Sequence, residues 1–486
     1  MRINLVGILN ILGVLLFINA GLMLLCIPFA LYYSDGTLTQ WLASSGASVG
    51  VGAALWLSTT RKGKRPNIRK RDGYVIVTMS WVVMALSGSL PYIISGTIPE
   101  FTDAFFESIS GFTTTGASII AEPEHIPPSI LFWRSLTQWV GGLGFIVLVI
   151  SVLPYLGIGG MQLFLAEMPG VTTTKLQPRI QDTAIRLWLL YIGLTIAQTL
   201  LLRFGGMHFF DAINHSLTTM ATGGFSTHSD SIAHFNSPFI EYVTTAFMFL
   251  GGTSFVLLYG FFKGRFLALW RNEEFRTYLL IIFVAAFITT VTLTIHSGQP
   301  MEDAFRTSLF QTVSILTTTG FIAADYTAWG SGLVLLFFLL MFIGGCAGST
   351  SGGVKVIRHV IIARNTISEF KRQLHPSAII PVRFNDKAVD IAVTRNIMAF
   401  IIIYITIFGA ASVALALLGM DVYTAIGSVA SALGNVGPGL HHTGPVETYA
   451  HLGDLTKWIL GALMVVGRLE LFTVLILFTG YFWRSV

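Results

Sequence analysis

Long apolar runs separated by short polar stretches dominate the chain. The runs over residues 3–32, 187–202, 277–295 and 396–418 approach or exceed the ~20 residues with which a helix crosses a ~30 Å hydrocarbon layer. They predict spanning helices. Between such runs lie shorter segments of mixed character that open on Asp and close on Gly: Asp103 to Gly116, Asp211 to Gly224, Asp303 to Gly320 and Asp421 to Gly437. The Asp-to-Gly separations are 13, 13, 17 and 16 residues, and the increment of three to four is about one helical turn. Each segment predicts a helix of roughly 10 to 13 residues with its Asp as N-cap, too short to span and of re-entrant length.

The recurrence of this segment organises the whole chain. A hairpin over residues 1–60 precedes four units, 73–157, 185–262, 277–372 and 396–484, each ordered as spanning helix, short helix, glycine loop and spanning helix. The predicted fold is an all-α integral membrane protein: four membrane-pore-membrane repeats about a pseudo-fourfold pore, plus an N-terminal two-helix hairpin. Met1-Arg2 followed by a long apolar stretch reads as a first span, because a secretory peptide would have a shorter apolar core.

Composition agrees. Of 486 residues 53% are hydrophobic and only 11% charged, with mean hydropathy +0.72, whereas soluble domains carry roughly a quarter charged residues. A cytosolic globular enzyme is excluded. Cys26 and Cys346 are the only cysteines, in apolar or glycine-rich settings, so neither a disulfide framework nor a thiolate metal site is expected. The net charge of +5 finds its meaning in placement. Windows 97–130, 205–245, 297–332 and 420–453 hold thirteen acids and one base, Arg306, while bases crowd into 61–71, 263–276 and 355–387. Basic loops face the cytoplasm, which predicts cytoplasmic termini and four outward-facing acidic windows.

Four re-entrant helices about one axis would aim four carboxyl ends, each with about half a negative charge, at the bilayer centre. That favours a cation. The returning chain leaves carbonyls without intrachain partners, tolerable at membrane depth only along a water- or ion-filled path. Rings of such carbonyls replace the hydration shell in potassium-selective filters, and glycine permits the positive φ the loop needs.

The Thr-Thr-Thr-Gly motifs ending at Gly116 and Gly320, Ala221-Thr-Gly-Gly224 and Gly434-Asn-Val-Gly-Pro438 give a specific resemblance over essentially the whole chain. The sequence resembles the Trk/Ktr/HKT superfamily of potassium-translocating membrane proteins, and its hairpin and length are similar to the TrkH type. The resemblance implies potassium coordination at Thr114, Thr115, Gly116, Thr222, Gly223, Gly224, Thr318, Thr319, Gly320, Asn435, Val436 and Gly437. It implies a homodimer in the bacterial inner membrane, bound to a cytosolic nucleotide-binding TrkA ring, with potassium as the transported ion and no organic cofactor. Gly223 in place of Thr, and Asn435-Val436 in place of Thr-Thr, make the ring unequal in side chains. Gly116 argues for the potassium-type filter, since relatives with Ser there tend to admit sodium.

In the third unit the apolar run 333–343 is only 11 residues, about 16 Å as helix, before Gly344-Gly-Cys-Ala-Gly-Ser-Thr-Ser-Gly-Gly353. Five glycines, each costing a helix interior about 1 kcal/mol, predict a non-helical stretch at mid-membrane depth. The resemblance implies an intramembrane gate here, carried by Gly344, Gly345, Gly348, Ser349, Thr350, Gly352 and Gly353. Arg468, midway along the apolar run 458–483, must face the interior or a partner. It is expected to hold that loop through its carbonyls and to oppose cation passage, whereas Glu470 is about 200° around the helix and does not neutralise it.

Enzyme readings fail. His441, His442 and His451 lie in an outer loop without His-Glu-x-x-His spacing and read as solvated, Ser349 and Ser351 lack a partnered His, and no Walker motif is present. Two alternatives remain, a cation-coupled symporter with broken helices meeting near the midplane and a sodium-permeable member of the same fold.

Overall fold

The computed structural model describes residues 3–60, 69–144 and 180–484; the basic cluster at 61–65 and the end of the first unit at 145–157 lie outside them. The chain is an all-α membrane protein. Five helices among the described residues are long and apolar enough to cross a bilayer, or up to seven if two bent pairs each count as one span.

The hairpin pairs Leu5–Leu24 with Leu38–Thr60. The two backbones nearly touch where they cross, since a Cβ on Gly13 would lie 2.9 Å from the Gly52 carbonyl oxygen; small residues permit that approach between membrane helices. Buried polar side chains fasten the hairpin to the first unit: Asn19 Nδ2 donates to Ser87 Oγ (2.9 Å), and Ser48 and Ser87 share a hydroxyl bond (2.8 Å).

Each unit then presents an outer helix and a short helix. The outer helices are Lys70–Gly88, Ile180–Phe204, Glu273–Ser297 and Ile391–Leu417. The short helices are Phe101–Phe112, Phe209–Met220, Met301–Leu316 and Val422–Gly434. The spacing predicts one extra turn in the third and fourth; the third has it, with 16 residues against 12, but the fourth has only 13. The predicted caps need correcting: Asp103, Asp211 and Asp303 sit at the third helical position behind caps at Glu100, His208 and Pro300, and only Asp421 is a true N-cap, accepting from Thr424 N (3.0 Å). An Asp in the first turn still favours the helix through the dipole, so both placements produce the same sequence signal.

The short helices run through protein rather than lipid. Ser108, Ser110, Thr218, Thr219, Ser314, Ser428 and Ser431 are all fully buried on them, and several satisfy their hydroxyls on the preceding turn, as Thr218 does on Asn214 O (3.1 Å).

In the second and fourth units the helices that follow do not cross unbroken, contrary to the spanning helices expected there. Pro238–Gly251 bends by 108° into Phe255–Phe262, and Asp454–Arg468 by 110° into Phe472–Phe478. In the first unit Pro128–Trp139 passes into a π-turn at Val140–Gly144, where the described residues end, and in the third Ser331–Leu340 ends just before the glycine-rich stretch, as its five glycines predict. The π-turn and the two bends carry glycines pressed on the end of a short helix: a Cβ on Gly141 would overlap the Phe112 carbonyl, on Gly252 the Thr317 side chain (2.7 Å), and on Gly467 the Leu433 carbonyl. Arg468 is the last residue of the helix before the second of these bends. Outside the membrane helices, Arg383–Phe384 and Lys387–Ala388 form a small antiparallel hairpin, turned by Asn385 and Asp386 at positive φ.

Candidate functional site

All four short helices end in the same way. Thr114, Thr222, Thr318 and Asn435 adopt left-handed φ of 55°, 53°, 57° and 54°. The next amide reaches back five residues, Thr115 N to Ser110 O, Gly223 N to Thr218 O, Thr319 N to Ser314 O and Val436 N to Ser431 O, each at 2.9 Å. This is the Schellman closure of a helix C-terminus. Gly116, Gly224, Gly320 and Gly437 then take positive φ of 81°, 76°, 82° and 101°. The glycines were expected to do so. The threonines were not, because β-branched residues seldom enter this region; the readable signal was Asn435, which tolerates it and falls in the same column of the repeat.

These loops form a closed circle. A Cβ on Gly116 would overlap the Gly223 carbonyl oxygen, one on Gly224 the Thr319 oxygen, one on Gly320 the Val436 oxygen, and one on Gly437 would lie 2.8 Å from the Thr115 oxygen. Each loop thus abuts the next, and the fourth returns to the first. The carbonyls of Thr115, Gly223, Thr319 and Val436 are thus the equivalent points at which successive loops meet.

Under it lies the stretch 344–353. Thr350 Oγ1 donates to Met220 O (3.0 Å) and Gly251 O (3.1 Å), Gly352 N donates to Thr318 Oγ1 (2.7 Å), and a Cβ on Gly352 would lie 2.5 Å from Gly434 O. The stretch therefore touches the ends of the second, third and fourth short helices. Gly344 N and Gly345 N close on Val354 O (2.9 Å) and Ser351 Oγ (3.0 Å), Gly348 O accepts from Phe255 N (3.0 Å), and Gly353 has φ 65°. Ser349 and Ser351 hydroxyls bond each other (2.7 Å), and Lys355 Nζ caps Ser351 O.

Arg468 donates Nη1 to Thr350 O (2.7 Å) and Nη2 to Gly141 O and Gly142 O (2.8 Å each). It joins the glycine stretch to the π-turn of the first unit. Glu470 pairs with Arg358.

Several anchors escaped the sequence reading. Glu107 and Arg134, both buried, pair at 2.8 Å; Glu107 also accepts from Ile119 N (3.0 Å), and Arg134 donates to Ser226 O (3.2 Å), so the pair binds the first loop to the second. Lys457 Nζ meets Asp103 (2.6 Å), and Arg306 meets Glu241 (3.0 Å). At the cap of the fourth short helix burial pushes the Asp421 carboxyl up, but hydrogen bonds from Thr424 and His441 outweigh it and hold the group down at about 2.

The family model TrkH, cation transport protein, matches residues 40–485. The chain belongs to the TrkH family. It is 40% identical over 99% of both chains to the Trk system potassium uptake protein TrkH of Salmonella typhimurium, and 35% identical over 97% of both chains to TrkG of Escherichia coli K12. The crystal structure of the potassium transporter TrkH from Vibrio parahaemolyticus superimposes with TM-score 0.88 at 37% identity, covering 99% of this chain and 100% of that one. This is a transport family, not an enzyme family.

Within this TrkH-family chain the departures from Thr-Thr-Gly have structural counterparts. Gly223 lacks a side chain where Gln138 fills the space; Gln138 Nε2 donates to Gly223 O (2.7 Å), and its Oε1 accepts from Phe225 N (3.1 Å). Asn435 Nδ2 reaches across to Thr115 Oγ1 (2.9 Å) and Met464 O (3.0 Å). Gly437 O accepts from both Ser431 Oγ (2.6 Å) and Tyr449 OH (2.9 Å). Both lone pairs of that carbonyl are thereby engaged within the protein.

Proposed function

We propose that this chain takes up potassium across the bacterial cytoplasmic membrane by channel-like passage through the ring of four loops. The observation that carries the reading is the closed circle in which each loop's glycine abuts the next loop's carbonyl. Backbone oxygens of Thr114, Thr115 and Gly116, with their counterparts at 222–224, 318–320 and 435–436, replace the water around a bare alkali cation, while Gly437 O, expected to join them, is held by Ser431 and Tyr449. The four helix C-termini add their partial negative charge. The potassium in the names of the relatives supports the choice of ion.

In this reading the 344–353 stretch is the gate. Irregular backbone at that depth is tolerated where it lines or closes an aqueous path, and Arg468 holds it shut while its charge repels the cation. The termini face the cytoplasm, in keeping with the basic loops. Two chains associate, and a cytosolic TrkA-type ring docks on the basic side, where Lys371 and Arg372 stand beside exposed Phe370, Leu374 and Ile379.

The test is rubidium uptake into vesicles containing the purified chain, with competing potassium or sodium. Potassium competes and sodium does not. Gly116→Ala places a Cβ on the Gly223 oxygen at φ 81° and removes uptake. Uptake that persists in this variant, or that requires an imposed proton or sodium gradient, overturns the reading; the latter result supports coupled transport.

A further inference from the structure

The turn that follows the fourth loop brings together three side chains that the transport pathway does not use. Asp421, His441 and His442 each offer a ligand atom, and these atoms all lie within 4.8 Å of one another. His441 Nδ1 is 3.4 Å from Asp421 Oδ2, close to the ~3.3 Å between two ligands of one tetrahedral zinc with bonds of about 2.0–2.1 Å. All three side chains are exposed, so the third ligand closes the remaining gap by side-chain rotation alone. We propose that Asp421, His441 and His442 form a binding site for a transition-metal dication such as Zn²⁺, at the mouth of the ring.

The supporting frame is already built. Asp421 Oδ1 is committed to the helix cap through Thr424 N (3.0 Å), which orients the carboxylate and leaves Oδ2 for the metal. Thr424 Oγ1 lies 3.2 Å from His441 Nδ1 and accepts from His442 N (3.4 Å). The 3-10 turn His441–Thr443 is pinned by Thr443 N to Leu440 O (3.2 Å), Gly444 N to His441 O (2.9 Å) and the Thr443–Ser428 hydroxyl pair (2.9 Å). Such outer ties fix first ligands and strengthen metal sites. The His442 ring centroid is 6.2 Å from that of His451, which places a further imidazole within a rotamer change.

Two imidazoles and one carboxylate select zinc, nickel or copper over magnesium and calcium, which want all-oxygen shells. The position gives the site its effect, which rests on the proposed ion passage. His441 follows Gly437 by four residues, a reach of at most about 14 Å. A dication at that distance in water opposes an entering monovalent cation by about one thermal unit and slows uptake about two- to threefold at low ionic strength. At 0.15 M salt, with a Debye length of ~8 Å, most of that effect is screened.

The test separates binding from passage. Titration calorimetry of the detergent-solubilised full chain with ZnCl₂ should give one site per chain, absent with MgCl₂. His441→Asn/His442→Ala should weaken Zn²⁺ binding at least about tenfold; Asn tolerates the left-handed backbone of residue 441 (φ 53°), so the turn survives. His228→Ala/His234→Ala, which removes the other outer histidine pair, should leave binding unchanged. In vesicles at low ionic strength, Zn²⁺ on both faces should slow rubidium uptake by the parent and not by the 441/442 variant. Equal Zn²⁺ affinity in parent and variant overturns the site. Binding that is lost in the variant, with parent uptake indifferent to Zn²⁺, overturns its place at the entrance. Absence of uptake in both proteins without metal refutes the transport reading and leaves calorimetry to decide the site.

Discussion

Replacing Arg468 with Ala removes three donations at once, to Thr350, Gly141 and Gly142. Only the first bears directly on the 344–353 stretch, because the other two tie the last unit to the first. A hydrogen bond from a charged donor contributes about 1.5–3 kcal/mol, and Arg468 is partly exposed, which favours the lower end. At about 1.4 kcal/mol per decade, the shut arrangement loses about tenfold in its favour over any arrangement that lacks this bond. Rubidium uptake by the chain alone should rise about tenfold in R468A vesicles. R468K offers one compact ammonium in place of a planar fork and cannot serve Thr350 and the Gly141–Gly142 pair together, so its uptake should fall between. Unchanged or lower uptake in an R468A protein that elutes and melts like the parent would refute the gate.

Other substitutions probe the ring and its supports. Gly320→Ala would drive a Cβ into the Val436 oxygen at φ 82° and should abolish uptake, measured beside Gly332→Ala, where the surrounding space is open. Tyr449→Phe removes one of two donors on Gly437 O and returns a lone pair to the ring; the rubidium-to-sodium permeability ratio from reversal potentials should change, while the melting temperature moves little. Arg134→Met strands Glu107 as a buried unpaired charge, a loss of about 3–5 kcal/mol. It should lower the melting temperature read by tryptophan fluorescence, and Glu107→Gln beside it should recover part of the loss.

The architecture was readable because its signal is repeated: one Asp-to-Gly segment would pass for a capped surface helix, but four at matching intervals between apolar runs would not. The glycines of the loops were readable for the same reason. The breaks in the second helices were legible only in the third unit, where five glycines crowd together. At Gly251-Gly252 and Gly467 one or two glycines sit in runs as apolar as any span, and nothing local distinguishes a glycine that admits a neighbouring carbonyl from one that merely packs. The Glu107–Arg134 pair was hidden by distance, since charge counting treats each acid as solvated until a partner from another helix is brought to it. Gln138 was missed for a related reason: the empty space it fills belongs to Gly223, 85 residues away.

The head-to-tail order of the loops has a mechanical consequence. With every quarter leaning on its neighbour in one rotational sense, the opening behaves as an arch without a keystone, and its diameter is a shared variable that no quarter can alter alone. Widening at Gly116 must be relayed through three further joints before it returns. Under the proposed passage, discrimination by size is therefore stiff even where side chains differ from loop to loop, because the stiffness resides in a circuit of main-chain contacts that amino-acid variety on the outside leaves intact.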